Sequence, residues 1–196
     1  VLSLARFFLF GARDVWFVVA LPVFLEAALG WSFWEIGGFL GLWVIGYGMV
    51  QGSAPGLRRL WGQSTSPGVS AVQFWSALLT AIPALISVAL WREVDVAVAI
   101  TAGLAAFGVV FAMNSSIHSY MVLAYTDAQS VSLDVGFYYM ANAAGRLAGT
   151  LLSGAVFMLG RSETEGMQAC LWASSLLVLL SWISSLRLPA LQRKVG

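Results

Sequence analysis

Three ionisable side chains stand where a hydrophobic stretch should be apolar throughout. Arg13 and Asp14 lie near the middle of one such stretch and Arg146 near the middle of another. Placing Arg or Asp at a bilayer centre costs about 2.5–3.5 kcal/mol even on the lenient insertion scale, so such groups line a cavity or pair with each other. Two guanidinium groups at that depth suit an anionic substrate, because each keeps its charge and grips phosphate-like oxygens two at a time. Arg6 shares a helical face with Arg13 at i,i+7, and Tyr139 and Asn142 precede Arg146 at i−7 and i−4. A further stretch carries Asn114 and His118 at i,i+4, with Ser115 and Ser119 beside them. The candidate substrate-binding set is therefore Arg13, Arg146, Asn142, Tyr139, Asn114 and His118. Asp14 is a coupling carboxylate or an ion-pair partner; an adjacent arginine holds it ionised. Two structural alternatives stand beside this reading. Arg13 and Asp14 neutralise one another, and His118 makes an inter-helix hydrogen bond instead of titrating.

The elements that carry these residues follow from composition. Of 196 residues, 60% are hydrophobic and only 10% charged, and the mean hydropathy is +0.86. A soluble domain carries about 25% charged residues and could not hide this much apolar surface in one core. The solvent must be lipid. The net charge of +1 gives no electrostatic case for nucleic acid. Cys170 has no disulfide partner and no Cys and His have metal-ligand spacing, so neither metal nor cofactor is expected. The chain opens Val-Leu-Ser without a Met or a signal-peptide pattern, and is expected to be a fragment.

A spanning helix needs about 20 mainly apolar residues. Six stretches qualify, near Leu4–Leu29, Phe33–Val50, Val69–Trp91, Val96–Ala124, Val135–Leu159 and Met167–Leu186. Ser32 and Glu35 have capping-box spacing at the head of the second. Pro22 and Pro83 are expected to kink their helices rather than gate them. Arg58, Arg59, Arg187, Arg193 and Lys194 fall on one side, against Arg92 and Arg161 among Glu93, Asp95, Glu163 and Glu165 on the other. The positive-inside rule makes the first side cytoplasmic and puts both chain ends there. Trp31, Trp34 and Trp91 then lie near the outer boundary and Trp61 near the inner, as an aromatic belt or as scattered core residues.

The second span opens Trp34-Glu35-Ile36-Gly37 and the fifth opens Leu133-Asp134-Val135-Gly136. The two start on opposite faces, three spans apart. That is the relation of a three-plus-three inverted repeat, as within each six-helix half of the major facilitator fold. The expected fold is thus an all-α membrane protein, a six-transmembrane-helix bundle forming half of a major facilitator fold. In such a half the first, second, fourth and fifth helices line the cavity, and the mid-span charges fall on the first and fifth. Ala141, Gly145, Gly149 and Ser153 recur every four residues on the fifth span, a seam for close helix packing; Gly37 and Gly41 read likewise.

Four segments carry a family resemblance: residues 8–19 (Phe8-Leu9-Phe10-Gly11-Ala12-Arg13-Asp14 onward), Leu42–Gly48, Asn114–Tyr120 and Val131–Leu147. Together they resemble the organoarsenical efflux permease family ArsJ of the major facilitator superfamily, over about Val1 to Ser175. The resemblance implies export of 1-arseno-3-phosphoglycerate. It also implies a functional link to a glyceraldehyde-3-phosphate dehydrogenase that makes this product, a bacterial inner-membrane location, and a missing N-terminal six-helix half, residues 1–196 being the C-terminal half. It carries over no site residues. The residue chemistry agrees with that cargo: trivalent arsenic would demand several thiolates, whereas Arg13, Arg146, Tyr139 and Asn142 suit an oxyanion.

Rival readings are a major facilitator exporter of another organic anion such as a sugar phosphate or drug, an intramembrane hydrolase built on Ser153 and His118, and a self-standing six-helix channel or assembly subunit. Against the hydrolase, His118 precedes Ser153 and no glycine-flanked nucleophile elbow is present.

Overall fold

The fold is described from a computed structural model, for residues 1–62, 64, 66–126 and 130–190. Within them the chain is all helical: α1 Leu2–Phe17, α2 Ala20–Leu29, α3 Phe33–Leu60, α4 Val69–Trp91, α5 Val96–Tyr125, α6 Val131–Phe157 and α7 Glu163–Ser185. The first two are one rod with a break, so seven helices make six rods. Arg193 and Lys194, used above for orientation, lie outside the described residues.

Local chemistry sets the ends. Pro22 lacks an amide hydrogen and its ring crowds the carbonyl four residues back, at Val18, the residue that ends α1; α2 resumes at Ala20. The break frees the amide of Ala20, which donates to Ser153 Oγ at 3.0 Å. Pro83, by contrast, sits inside a continuous α4. Ser32 and Glu35 form the expected capping box: Ser32 Oγ accepts from the Glu35 amide and the Glu35 carboxylate accepts from the Ser32 amide. Asp95 and Ser162 cap α5 and α7. The cap at Ser162, with Glu163 and Glu165 favourable in the first turn, starts α7 four residues before Met167. At the other extreme α3 runs ten residues past Val50, through Pro55, and ends with Arg58 and Arg59 facing its carbonyl end.

Among the described residues five rods are long and apolar enough to cross a membrane: Leu2–Leu29, Phe33–Leu60, Val69–Trp91, Val96–Tyr125 and Glu163–Ser185. These mark a membrane protein. The sequence expectation of six apolar spans is met by five, because α6 has the length but not the apolarity. Its 27 residues include Asp134, Asn142, Arg146, Thr150 and Ser153 among glycines and alanines. Large apolar side chains point outward, Trp34 82%, Leu42 71% and Leu151 67% exposed. A surface of that kind belongs in lipid.

Packing is organised around α1 and α5. Helix α1 lies against α6 and α7, α5 against α3 and α4, and α4 against α7. The α1–α6 contact is a close approach of backbones. A Cβ on Gly11 would come 3.2 Å from the Gly145 carbonyl oxygen, one on Gly149 would come 2.6 Å from that of Gly11, and one on Gly145 would strike the backbone of Phe7. The sequence seam Ala141-Gly145-Gly149-Ser153 thus meets α1 through Gly145 and Gly149 and the head of α2 through Ser153. Helix α7 grips the opposite side of α1 with hydroxyls: Ser174 and Ser181 donate to the carbonyls of Ala12 and Ala5 at 2.6 and 2.7 Å. Trp43 of α3 donates to the Leu104 carbonyl of α5 at 2.8 Å and lies over Gly108.

Replacing Gly145 or Gly149 by Ala should lower the melting temperature in detergent, since overpacking costs about 1–3 kcal/mol. Gly154→Ala on the same helix, where nothing lies within 4 Å of the added carbon, should be neutral or stabilising. Equal effects at all three would remove close packing as the cause.

Candidate functional site

The close α1–α6 approach brings charge together. Asp14, 1% exposed, receives a different arginine at each oxygen: Arg13 Nε lies 2.6 Å from Oδ1 and Arg146 Nε 3.1 Å from Oδ2. Both arginines use only Nε. Among the described residues, neither nitrogen at the far end of either guanidinium has a hydrogen-bond partner. Arginine–carboxylate pairs are frequently bidentate, the stronger geometry. Here one carboxylate orients two guanidinium groups and leaves their two-nitrogen ends for another acceptor. Arg13 is mostly buried, whereas the Arg146 side chain is 56% exposed on the free face of α6.

Arg6 forms a second node about two helical turns away on the same face, and it is the residue that the sequence argument left out of the set. It is 4% exposed. Its Nε donates to Asn142 Oδ1 at 3.1 Å, and its Nη1 donates to Ser115 Oγ at 3.0 Å and to the Ser115 carbonyl at 3.3 Å. The guanidinium carbon lies 4.0 Å from the Phe10 ring centre and 4.8 Å from that of Tyr138. Arg13 stands over the same Phe10 ring at 5.0 Å. Phe10 therefore separates the two guanidinium groups, and aromatic faces offset part of their repulsion. No carboxylate pairs with Arg6 among the described residues, so its partners are neutral throughout. Tyr47 of α3 shares Ser115 Oγ at 3.5 Å, which ties α1, α3, α5 and α6 to this node. The i,i+7 spacing of Arg6 and Arg13 was the signal available in the sequence.

The predicted residues divide. Arg13, Asp14 and Arg146 meet in one cluster. Asn142 belongs to the Arg6 node. Tyr139 is exposed and makes only an edge contact with the ring of Tyr138; Tyr138, one residue earlier, is the tyrosine that is buried over Arg6 and whose hydroxyl meets Ser119 at 3.4 Å. Asn114 is buried against α4, where its Nδ2 donates to Ser76 Oγ at 3.0 Å. His118 is fully buried, and neither ring nitrogen has a partner among the described residues. It makes no hydrogen bond with Ser153, whose hydroxyl serves Ala20. Cys170 is buried and donates to the Ser153 carbonyl. Among the described residues no three His, Cys, Asp or Glu side chains gather as a metal site.

Three guanidinium groups against one carboxylate leave the assembly positively charged in a low-dielectric setting. Such a site attracts an anion and repels a cation. Asp14→Asn should therefore destabilise the protein more than Arg146→Gln, because it strands buried Arg13 without its counter-charge. Breaking a buried pair costs about 3–5 kcal/mol, and the exposure of Arg146 reduces its share. Thermal melts in detergent check the order, and adding Arg13→Gln to Asp14→Asn should restore part of the loss.

No protein-family model matches this sequence, and no curated protein matches it.

Proposed function

We propose that this chain is one half of a secondary exporter that moves an organic oxyanion across a membrane by alternating access. The observation that carries the reading is the Asp14 cluster, in which one buried carboxylate holds Arg13 and Arg146 by Nε and leaves their two-nitrogen ends open to a ligand. Phosphate and arsenate oxygens match that fork.

The packing supports a three-plus-three architecture. Exchanging the first three rods for the last three maps the α1–α6 contact onto α5–α3, α1–α7 onto α5–α4, and α4–α7 onto itself. The exception is α3, which lacks on α4 the contact that α6 makes on α7. The same architecture accounts for the polarity of α6, since a helix that lines an aqueous cavity is not obliged to be apolar. It also accounts for the bareness of α3, which buries only Ile36, Ala54 and Arg58. A second six-helix half would cover α3 and α6 and close the anion site between the two halves, which then rock about it.

The resemblance to organoarsenical efflux permeases supplies the cargo, 1-arseno-3-phosphoglycerate, and the companion glyceraldehyde-3-phosphate dehydrogenase. An exporter of another organic anion uses the same arginines and differs only in what the rest of the cavity accepts.

The test is arsenic retained by arsenate-treated cells expressing the full-length protein with and without the dehydrogenase. Retention should fall only when both are present. Arg13→Gln and Arg146→Gln should each abolish this export while the protein remains in the membrane. Unchanged retention by cells with both proteins would sink the arsenical cargo, and normal export by both variants would remove the arginines from the site.

A further inference from the structure

A second positively charged pocket lies apart from the Asp14 cluster, where the end of α3 turns into the start of α4. It encloses about 280 Å³ and is lined by Arg58, Ser64, Gly68, Ser70, Phe74 and Trp75, among others. Arg58 is 4% exposed, and its Nε is buried with no hydrogen-bond partner among the described residues. One of its terminal nitrogens donates to the Ser64 carbonyl. No carboxylate pairs with it among the described residues. A buried guanidinium left with an unused donor is costly unless something else supplies the acceptor.

The start of α4 points to the same kind of acceptor. Its N-cap is Gly68, which has no side chain to cap with, and no side chain caps the helix. The first amides of a helix and its dipole together favour an anion. This helix is 23 residues long, and Arg58 lines the pocket at its head. The surroundings are those of a membrane interface. Trp61 and Trp75 stack at 6.0 Å, and Trp61, Phe74 and Leu60 are all more than half exposed. Indole rings stacked beside a cationic pocket belong at headgroup depth.

We propose that this pocket binds the phosphate of an anionic phospholipid headgroup, held by Arg58 and the first amides of α4, with the acyl chains running along Phe74 and the apolar faces of α3 and α4. A basic pocket between helix ends is a recognised geometry for such lipids.

The test is native mass spectrometry of the detergent-solubilised full-length protein, titrated with phosphatidylglycerol or phosphatidylcholine. The wild type should retain phosphatidylglycerol preferentially, and Arg58→Gln should weaken that retention about fivefold to tenfold. Arg187→Gln, an exposed arginine beyond α7, should change nothing. Gly68→Asp places a carboxylate at the N-cap where the lipid phosphate would sit. It should weaken phosphatidylglycerol to a similar degree without lowering the melting temperature, and it decides the matter if Arg58→Gln does not fold. Equal retention of phosphatidylglycerol by the wild type and both pocket variants would overturn the site. Displacement of the lipid by millimolar inorganic phosphate would make it a soluble-phosphate site, and no preference over phosphatidylcholine would overturn the anionic-lipid assignment.

Discussion

The close approach of the α1 and α6 backbones is the constraint on which the charged centre rests. Asp14 has one of the shortest ionisable side chains, and it reaches Arg146 on another helix only because glycine stands opposite it. A carbon added to Gly149 would lie 3.1 Å from Asp14 Cβ. Lipid gives helices no hydrophobic reason to associate, so their contact depends on fit and on polar bonds. Here the fit comes from Gly11, Gly145 and Gly149, and the polar bond it permits is the one that organises two arginines.

Hydroxyl groups do for this bundle what water does for a soluble one. Ser174 and Ser181 each add a donor to a carbonyl of α1, Ser153 supplies an acceptor for the Ala20 amide at the break between α1 and α2, and Ser76 meets Asn114 between α4 and α5. All are side chains small enough to keep the helices close. The result is a division of labour. Neutral polar contacts hold α7 and α4 to the core, while the charged ones lie among α1, α5 and α6.

Much of this was legible in the sequence, and the misses have physical causes. Apolar length located the rods, because lipid imposes about 20 residues on any spanning helix. Small residues at every fourth position mark the packing face of α6, though not α1 as its partner. Arg13, Asp14 and Arg146 were identified by depth alone. Depth does not give azimuth to better than a residue, so it does not tell Tyr138, the buried ring over Arg6, from Tyr139, which faces outward. Nor does a stripe on one helix reveal which neighbour it meets, so Asn142 was assigned to Arg146 although it accepts from Arg6. Asn114 and Ser115 adjoin in sequence yet face α4 and α1, respectively, since one residue turns a helix through about 100°. The length of α3 was missed because a proline and two arginines resemble an ending, although an exposed helix tolerates both near its carbonyl end.

The placement of Arg13 beside Asp14 has a consequence for how the chain is made. Arg146 lies 132 residues after Asp14, so during synthesis α1 enters the membrane long before its partner helix exists. A lone guanidinium at that stage would resist insertion. Its sequence neighbour is already a carboxylate, and the pair crosses nearly neutral. Only when α6 arrives does the same carboxylate acquire a second cation, so the net positive charge around Asp14 is assembled last.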